Sequence, residues 1–125
     1  MARLLALLLS AFGGVATGNA AHAAGMPTQL GECVETRVKE VGTRLENGPG
    51  SGSLITFANG GTQVSYDQVP QVDHSRPGDL VSMCLVSIPR DCPPGDNRGR
   101  RYRTTNKRTG QTWTLPDAAH MCGGA

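Results

Sequence analysis

The stretch that decides the fold is SLITFANGGTQVSYD, residues 53–67. Two runs rich in β-branched and aromatic residues flank Asn59-Gly60, a dipeptide that tolerates the positive φ angles of a tight hairpin turn. A two-residue loop places Ala58 opposite Gly61, and this register gives the predicted hairpin two faces. One face holds Ser53, Ile55, Phe57, Thr62, Val64 and Tyr66, and the other holds Leu54, Thr56, Gln63 and Ser65.

Two further segments continue the β pattern on either side of this hairpin. Residues 78–89, GDLVSMCLVSIP, are nearly all apolar, which predicts a central strand that ends at Pro89. Residues 32–45 alternate like a strand, although four of their apolar positions also suit one face of a helix: Val34, Val38, Val41 and Leu45. Because valine and threonine are poor helix formers and Gly42 interrupts the run, we expect a bent strand.

A second hairpin is predicted near the C-terminus, within CPPGDNRGRRYRTTNKRTGQTW, residues 92–113. Its four-residue loop, KRTG, places Asn106 opposite Gln111, so that the aromatic side chains of Tyr102 and Trp113 share one face. This basic hairpin carries six cations, Arg98, Arg100, Arg101, Arg103, Lys107 and Arg108, against one acid, Asp96. We expect the aromatic face to be buried, with Arg101 and Arg103 on the exposed face.

Five or six short strands joined by glycine-rich turns predict an all-β fold. We expect a small antiparallel β-barrel or sandwich, stapled by disulfides, with an OB-like or SH3-like barrel as the preferred version. The irregular connection over residues 65–79 is expected to contain a single helical turn, and Asp117 is expected to cap another turn near the C-terminus.

The first 23 residues have the organisation of a secretory signal peptide. Arg3 precedes an apolar run over residues 4–15, and Ala21-His22-Ala23 gives an A-x-A cleavage pattern. The run is shorter than the roughly 20 apolar residues that span a bilayer. We therefore expect a periplasmic or secreted protein without a membrane span, in which residues 24–125 form a single small β domain. The leader holds one of the 12 basic residues and none of the 10 acids, which leaves the domain a net charge of +1.

All four cysteines, Cys33, Cys84, Cys92 and Cys122, lie in the predicted domain. An even number of cysteines in a small exported domain indicates two disulfides. Of the three possible connectivities we favour Cys33–Cys84, on the outer side of adjacent strands, with Cys92–Cys122, which ties the loop before the basic hairpin to the tail after it. The alternative is a metal site of Cys92, His120 and Cys122, but the spacing matches no regular zinc motif. We expect no metal and no other cofactor.

Two histidines of the predicted domain, His74 and His120, are the candidates for acid–base chemistry. Asp73-His74-Ser75 sets three triad residue types side by side, but neighbours on an extended chain point in different directions. We expect His74 to be exposed in a loop and His120 to pack beside a disulfide. The glycine-rich runs NGGT and GPGSG lack the helix and lysine of a P-loop.

The clustered charge of the basic hairpin favours binding over catalysis. Since the net charge is small, any affinity for anions must come from this clustering. Nucleic acid is not expected, because the predicted register buries the aromatic rings that would stack on bases. We predict an exported, non-enzymatic binding module of the bacterial-type cell envelope that docks an acidic protein or an envelope polyanion. A small exported hydrolase that uses His74 or His120 is the alternative.

The predicted cleavage gives a mature chain that begins at Ala24. Mass spectrometry of the protein recovered from the periplasm or the medium is expected to show this N-terminus. Gly18-Asn19-Ala20 offers a second site a few residues upstream, so a chain that begins at Ala21 would move the bond but keep the export. An exported protein that retains Met1 would contradict the prediction.

Overall fold

The computed structural model describes Gly13 and residues 25–124, so the predicted signal peptide, apart from Gly13, lies outside the described residues. The elements in chain order are β1 (Cys33–Thr43), β2 (Ser53–Phe57), β3 (Thr62–Val64), α1 (Pro70–Asp73), β4 (Leu80–Ser87), β5 (Arg101–Asn106) and β6 (Thr112–Pro116). The six strands form one antiparallel sheet in the order β3-β2-β1-β4-β5-β6, which curls into a half-barrel. The predicted all-β, barrel-like class is confirmed. Within this part of the chain, no helix has the length and apolarity needed to cross a membrane.

The longest strand, β1, bends so that its two halves pair with different neighbours. Residues 33–37 pair with β4, and residues 38–43 pair with β2. The register shifts between Val38 and Glu40, and such a bulge bends a strand and increases its twist. The expectation of a bent strand is confirmed. Because β4 returns to lie beside β1 after the β1-β2-β3 run, these strands form a Greek key, the arrangement of OB-type barrels.

The first hairpin differs from its predicted register by one residue. Phe57 N–H donates to the carbonyl of Gly61 at 2.9 Å, so the loop has three residues, and Ile55 lies opposite Gln63. Gly60 takes φ +87° whereas Asn59 keeps a negative φ, which is typical of a three-residue loop with a glycine bulge. The predicted two-residue loop is therefore wrong. A one-residue slip exchanges the faces of a strand: Gln63 faces inward, and Tyr66 is 53% exposed.

The barrel interior is filled from both sheet halves and from α1. Its buried apolar residues are Val38, Ile55, Phe57, Val72, Val81, Met83, Leu85, Tyr102 and Trp113. β4 is central, as expected, and the single helical turn before it is confirmed. The second expected turn is absent, because residues 117–120 only bend and Asp117 accepts a hydrogen bond from Gly99 N–H at 2.7 Å.

The basic hairpin folds in its predicted register. Thr104 lies opposite Trp113 and Tyr102 lies opposite Leu115. The two aromatic residues are 3% and 5% exposed, whereas Arg101 and Arg103 are exposed on the other face. The predicted division into a buried aromatic face and an exposed basic face is confirmed.

Both predicted disulfides are present, Cys33–Cys84 and Cys92–Cys122. Cys33 lies directly opposite Cys84 in the β1–β4 ladder, with Cα atoms 4.0 Å apart. The second bridge closes a 30-residue separation around the basic hairpin.

The open edges of the half-barrel are joined by the side chain of Gln63, which is completely buried. Its amide nitrogen donates to the carbonyls of Tyr102 and Leu115, at 2.8 and 3.1 Å. Its amide oxygen accepts from Thr104 Oγ1 at 2.7 Å and from Trp113 Nε1 at 2.8 Å. Since an amide offers two donors and two acceptor sites, its bonding capacity is filled.

Replacing Gln63 by alanine is expected to destabilise the domain by about 3 kcal/mol, because it leaves a cavity and two buried donors without an acceptor. Urea unfolding of Gln63→Ala, monitored by tryptophan fluorescence, measures this loss. Gln29→Ala, at an exposed position, is the control and should change stability by less than about 0.5 kcal/mol. An equally small loss for Gln63→Ala would show that the amide does not hold the barrel closed.

Candidate functional site

Three of the six cations of the basic hairpin are held by carboxylates. Arg98 pairs with Asp96 at 2.9 Å, Arg108 pairs with Asp79 at 2.7 Å, and Lys107 pairs with Glu35. The Arg108 and Lys107 pairs join the hairpin to the segment before β4 and to β1, whereas the Arg98–Asp96 pair lies within residues 92–113. The three cations are therefore engaged in ion pairs within the fold, which makes them less available to a partner.

The Asp79 carboxylate is the centre of the best-buried of these pairs, with 7% of its side chain exposed. It accepts from Arg108 Nε and Nη2, from Asn106 Nδ2 at 2.9 Å and from the Arg76 backbone N–H at 2.8 Å. The hydrogen bond from Arg108 is the main cause that holds the pKa of Asp79 well below its usual range. This cluster fastens the hairpin loop to the segment before β4.

The Asp96–Arg98 pair organises the C-terminal tail in a similar way. Asp96 also accepts from Gly123 N–H at 2.9 Å, and Arg98 donates to the Gly124 carbonyl at 3.1 Å. The hydrogen bond from Arg98 is the main cause that lowers the pKa of Asp96. Arg98 thus holds the tail against the loop that Cys92–Cys122 closes.

Arg100 lies beside two groups at the start of β5. Burial raises the pKa of the Tyr102 hydroxyl and of the Asp117 carboxyl, and the Arg100 guanidinium opposes the shift in each case. Arg100 is half-buried. It therefore belongs to the rim of the barrel and not to the exposed face of the hairpin.

Arg101 and Arg103 form the remaining exposed pair, two residues apart on the outer face of β5. Neither side chain makes an ion pair or hydrogen bond to the residues that the structure describes. Thr112 and Thr114 lie exposed on the neighbouring strand, and Arg103 lies opposite Thr114. We call this surface, Arg101, Arg103, Thr112 and Thr114, the β5–β6 outer face.

A pocket of about 330 Å³ opens next to Arg101, where the ends of β3 and β6 diverge. Leu115, Pro116 and Ala118 supply apolar wall, and the lining also includes Ser65, Tyr66 and Asp67. The Tyr66 ring has the Arg44 guanidinium 4.1 Å above its centroid and meets the His120 ring edge-on at 6.5 Å. Sequence reasoning missed this pocket because the predicted register buried Tyr66.

Among the described residues, neither His74 nor His120 is assembled with a nucleophile. His74 Nδ1 lies 3.4 Å from Gln111 Oε1, whereas its neighbours Asp73 and Ser75 bond to Ser53 and Asn106. His120 is exposed and not packed as we expected, and its ring meets the ring of Tyr66. Among the described residues, no group of three histidine, cysteine or acidic side chains is arranged to hold a metal ion.

Comparisons with known protein families, with curated proteins and with solved structures found no match to this chain.

Substituting Asp79 by asparagine is expected to cost about 2–3 kcal/mol at pH 7, because the hydrogen bonds from Arg108, Asn106 and the Arg76 N–H lose a charged, largely buried acceptor. A carboxyl whose pKa is depressed by folding stabilises the protein above its unfolded-state pKa, about 3.9, and loses that contribution as the pH falls. The stability difference between wild type and variant should therefore shrink below about pH 4.

Urea unfolding at pH 7, 5 and 3 measures this difference. The exposed Asp91→Asn serves as a control and should show little difference at any of the three pH values. A wild-type advantage over Asp79→Asn that stays constant down to pH 3 would contradict the role of the Asp79 charge.

Proposed function

We propose that this protein is an exported, non-enzymatic binding module that docks an acidic protein through the β5–β6 outer face. The observation that carries the proposal is the contrast among the cations of the basic hairpin. Arg98, Lys107 and Arg108 are paired with carboxylates, whereas Arg101 and Arg103 are exposed and make no ion pair to the described residues. An arginine without a carboxylate is free to bind one from a partner.

The spacing of the two arginines favours an extended acidic segment as the docking element. Residues i and i+2 of a strand point to the same side, about 6.6–6.8 Å apart along the chain. Carboxylates at alternate positions of an extended peptide have the same spacing. Such a segment therefore matches both guanidinium groups at once.

The pocket beside Arg101 favours a protein over an envelope polyanion. Its walls include the apolar side chains of Leu115, Pro116 and Ala118, which fit an apolar side chain next to the acidic positions. A polyphosphate or an acidic polysaccharide has no such group. We therefore expect the partner segment to carry alternating acids followed by one large apolar residue.

Binding of a fluorescent peptide with alternating aspartates and a terminal leucine tests this function. We expect the Arg101→Gln/Arg103→Gln variant to bind it about tenfold more weakly, since two exposed ion pairs contribute about 0.2–1 kcal/mol each. Wild-type binding should also weaken between 0.1 and 1 M salt, as the Debye length falls from about 10 to 3 Å. The melting temperature should stay nearly unchanged, because both side chains are exposed.

The matched control is Lys39→Gln/Arg76→Gln, which removes two exposed positive charges elsewhere on the domain. It should leave peptide binding within about twofold of wild type. A capture experiment from periplasm, with proteins identified by mass spectrometry, extends the test to natural partners. Equal weakening by both double variants, or identical sets of proteins captured by wild type and Arg101→Gln/Arg103→Gln, would contradict the proposed docking face.

A further inference from the structure

The Cys33–Cys84 bridge lies on the outer face of the sheet in one row with Arg103. Cys33 is opposite Cys84, Cys84 is opposite Arg103, and Arg103 is opposite Thr114. Residues directly opposite in neighbouring antiparallel strands project to the same face, with Cβ atoms about 4.5–5.5 Å apart. In the register of the sheet, Arg103 is therefore the basic residue directly beside Cys84.

The approach to Cys33 is open. Cys33 is exposed whereas Cys84 is 9% exposed. Pairing between β1 and β2 begins at Val38. The end of β1 that carries Cys33 is therefore paired with β4 on one side and with no described strand on the other. A nucleophile must attack a disulfide sulfur in line with the S–S bond, from the side away from the leaving sulfur. On the side of β1 away from β4, Cys33 has no paired strand among the described residues.

The positive charge on one side of this bridge is not neutralised, since Arg103 makes no ion pair to the residues that the structure describes. Of the acids on the Cys33 side, Glu35 is held by Lys107, and the Glu32 carboxylate accepts hydrogen bonds from the backbone N–H groups of Thr28 and Gln29, both at 3.3 Å. The other bridge differs. Cys92 and Cys122 are half-buried, and the charged pair beside them, Asp96–Arg98, is internally balanced.

From this arrangement we propose that Cys33–Cys84 is an exchangeable disulfide whose substrates are anionic thiols. A thiolate RS⁻ attacks Cys33 Sγ, an RS–Cys33 bond forms, the Cys33–Cys84 bond breaks, and its electron pair leaves on Cys84 Sγ as a thiolate that Arg103 stabilises. A second RS⁻ attacks the sulfur of R, which releases RSSR and the Cys33 thiolate. Two thiols are thereby oxidised, and the bridge gains two electrons and, from solvent, two protons.

The fold can accommodate this exchange without unfolding. Five residues of β1 pair with β4, and Val34 and Met83 pack into or against the core from these strands. The strands therefore remain aligned after the bridge opens. An open form that keeps its fold leaves Cys33 with either a thiol or a bound RS group on the exposed face.

The test treats the oxidised mature protein with reduced glutathione, which is anionic, or with uncharged 2-mercaptoethanol. After acid quenching and alkylation, peptide mass spectrometry gives the rate at which each bridge opens and the cysteine that carries the mixed disulfide. We expect Cys33–Cys84 to open at least about threefold faster than Cys92–Cys122, the mixed disulfide to be on Cys33, and the far-UV circular dichroism spectrum to keep its β signature.

Variants separate the role of Arg103 from simple exposure. Arg103→Gln should slow the opening by 2-mercaptoethanol about threefold. Without the guanidinium, the leaving Cys84 thiol is about tenfold less acidic, and a Brønsted slope of about 0.5 converts this into a rate about threefold lower. It should slow the opening by glutathione more, because the attacking thiolate also loses an attractive charge. Arg103→Lys should recover most of both rates, and Lys39→Gln should change neither.

Three results would overturn the proposal: faster opening of Cys92–Cys122, a mixed disulfide on Cys84, or wild-type rates for Arg103→Gln. The experiment uses no protein partner. Its outcome is therefore independent of whether the β5–β6 outer face docks an acidic protein.

Discussion

The half-barrel depends on one buried amide. β3 and β6 come together without a backbone ladder between them, and the side chain of Gln63 joins β3 to both β5 and β6 in its place. Burying an amide without partners costs several kcal/mol, so this arrangement is stable only because all four hydrogen bonds are made. The same amide holds Trp113 Nε1, so the largest core side chain and the closure of the barrel are linked. The three-residue loop of the first hairpin follows from this constraint, because a two-residue loop would turn Gln63 outward.

Local patterns in the sequence were sufficient for most of the fold. Strand alternation and turn residues predicted the hairpins, the bent β1, the central β4 and the side-by-side position of Cys33 and Cys84. The register of the first hairpin was not predictable in this way, because Asn59-Gly60 suits both a two-residue and a three-residue loop. The choice between them is made by Thr104 and Trp113, which lie 41 and 50 residues away in sequence. Whether Gln63 faces inward depends on residues distant in sequence, so no local pattern predicts it.

The candidate site was predictable only where it follows from the alternation of inward and outward residues along a strand. Once the hairpin loop was known, Arg101 and Arg103 had to lie on the face away from Tyr102 and Trp113, and the structure places them there. The pairing of Lys107 with Glu35 and of Arg108 with Asp79 joins residues 72 and 29 positions apart, and it follows from the Greek key, not from the local sequence. Of the six cations clustered in the sequence, Arg101 and Arg103 are thus the two that are exposed and make no ion pair to the described residues. This agrees with the near balance of charge in residues 24–125, which hold 11 basic and 10 acidic residues.

Arg103 links the two proposed roles of the outer face. A bound acidic segment would place carboxylates on Arg101 and Arg103 and cancel the positive charge beside Cys84. It would also add negative charge one strand away from Cys84, which would repel an anionic thiol. Docking and exchange would therefore compete for one guanidinium, and by linkage each would weaken the other by the same factor at equilibrium. If both proposals hold, a bound partner would protect the bridge, and opening of the bridge with an anionic thiol left on Cys33 would displace the partner.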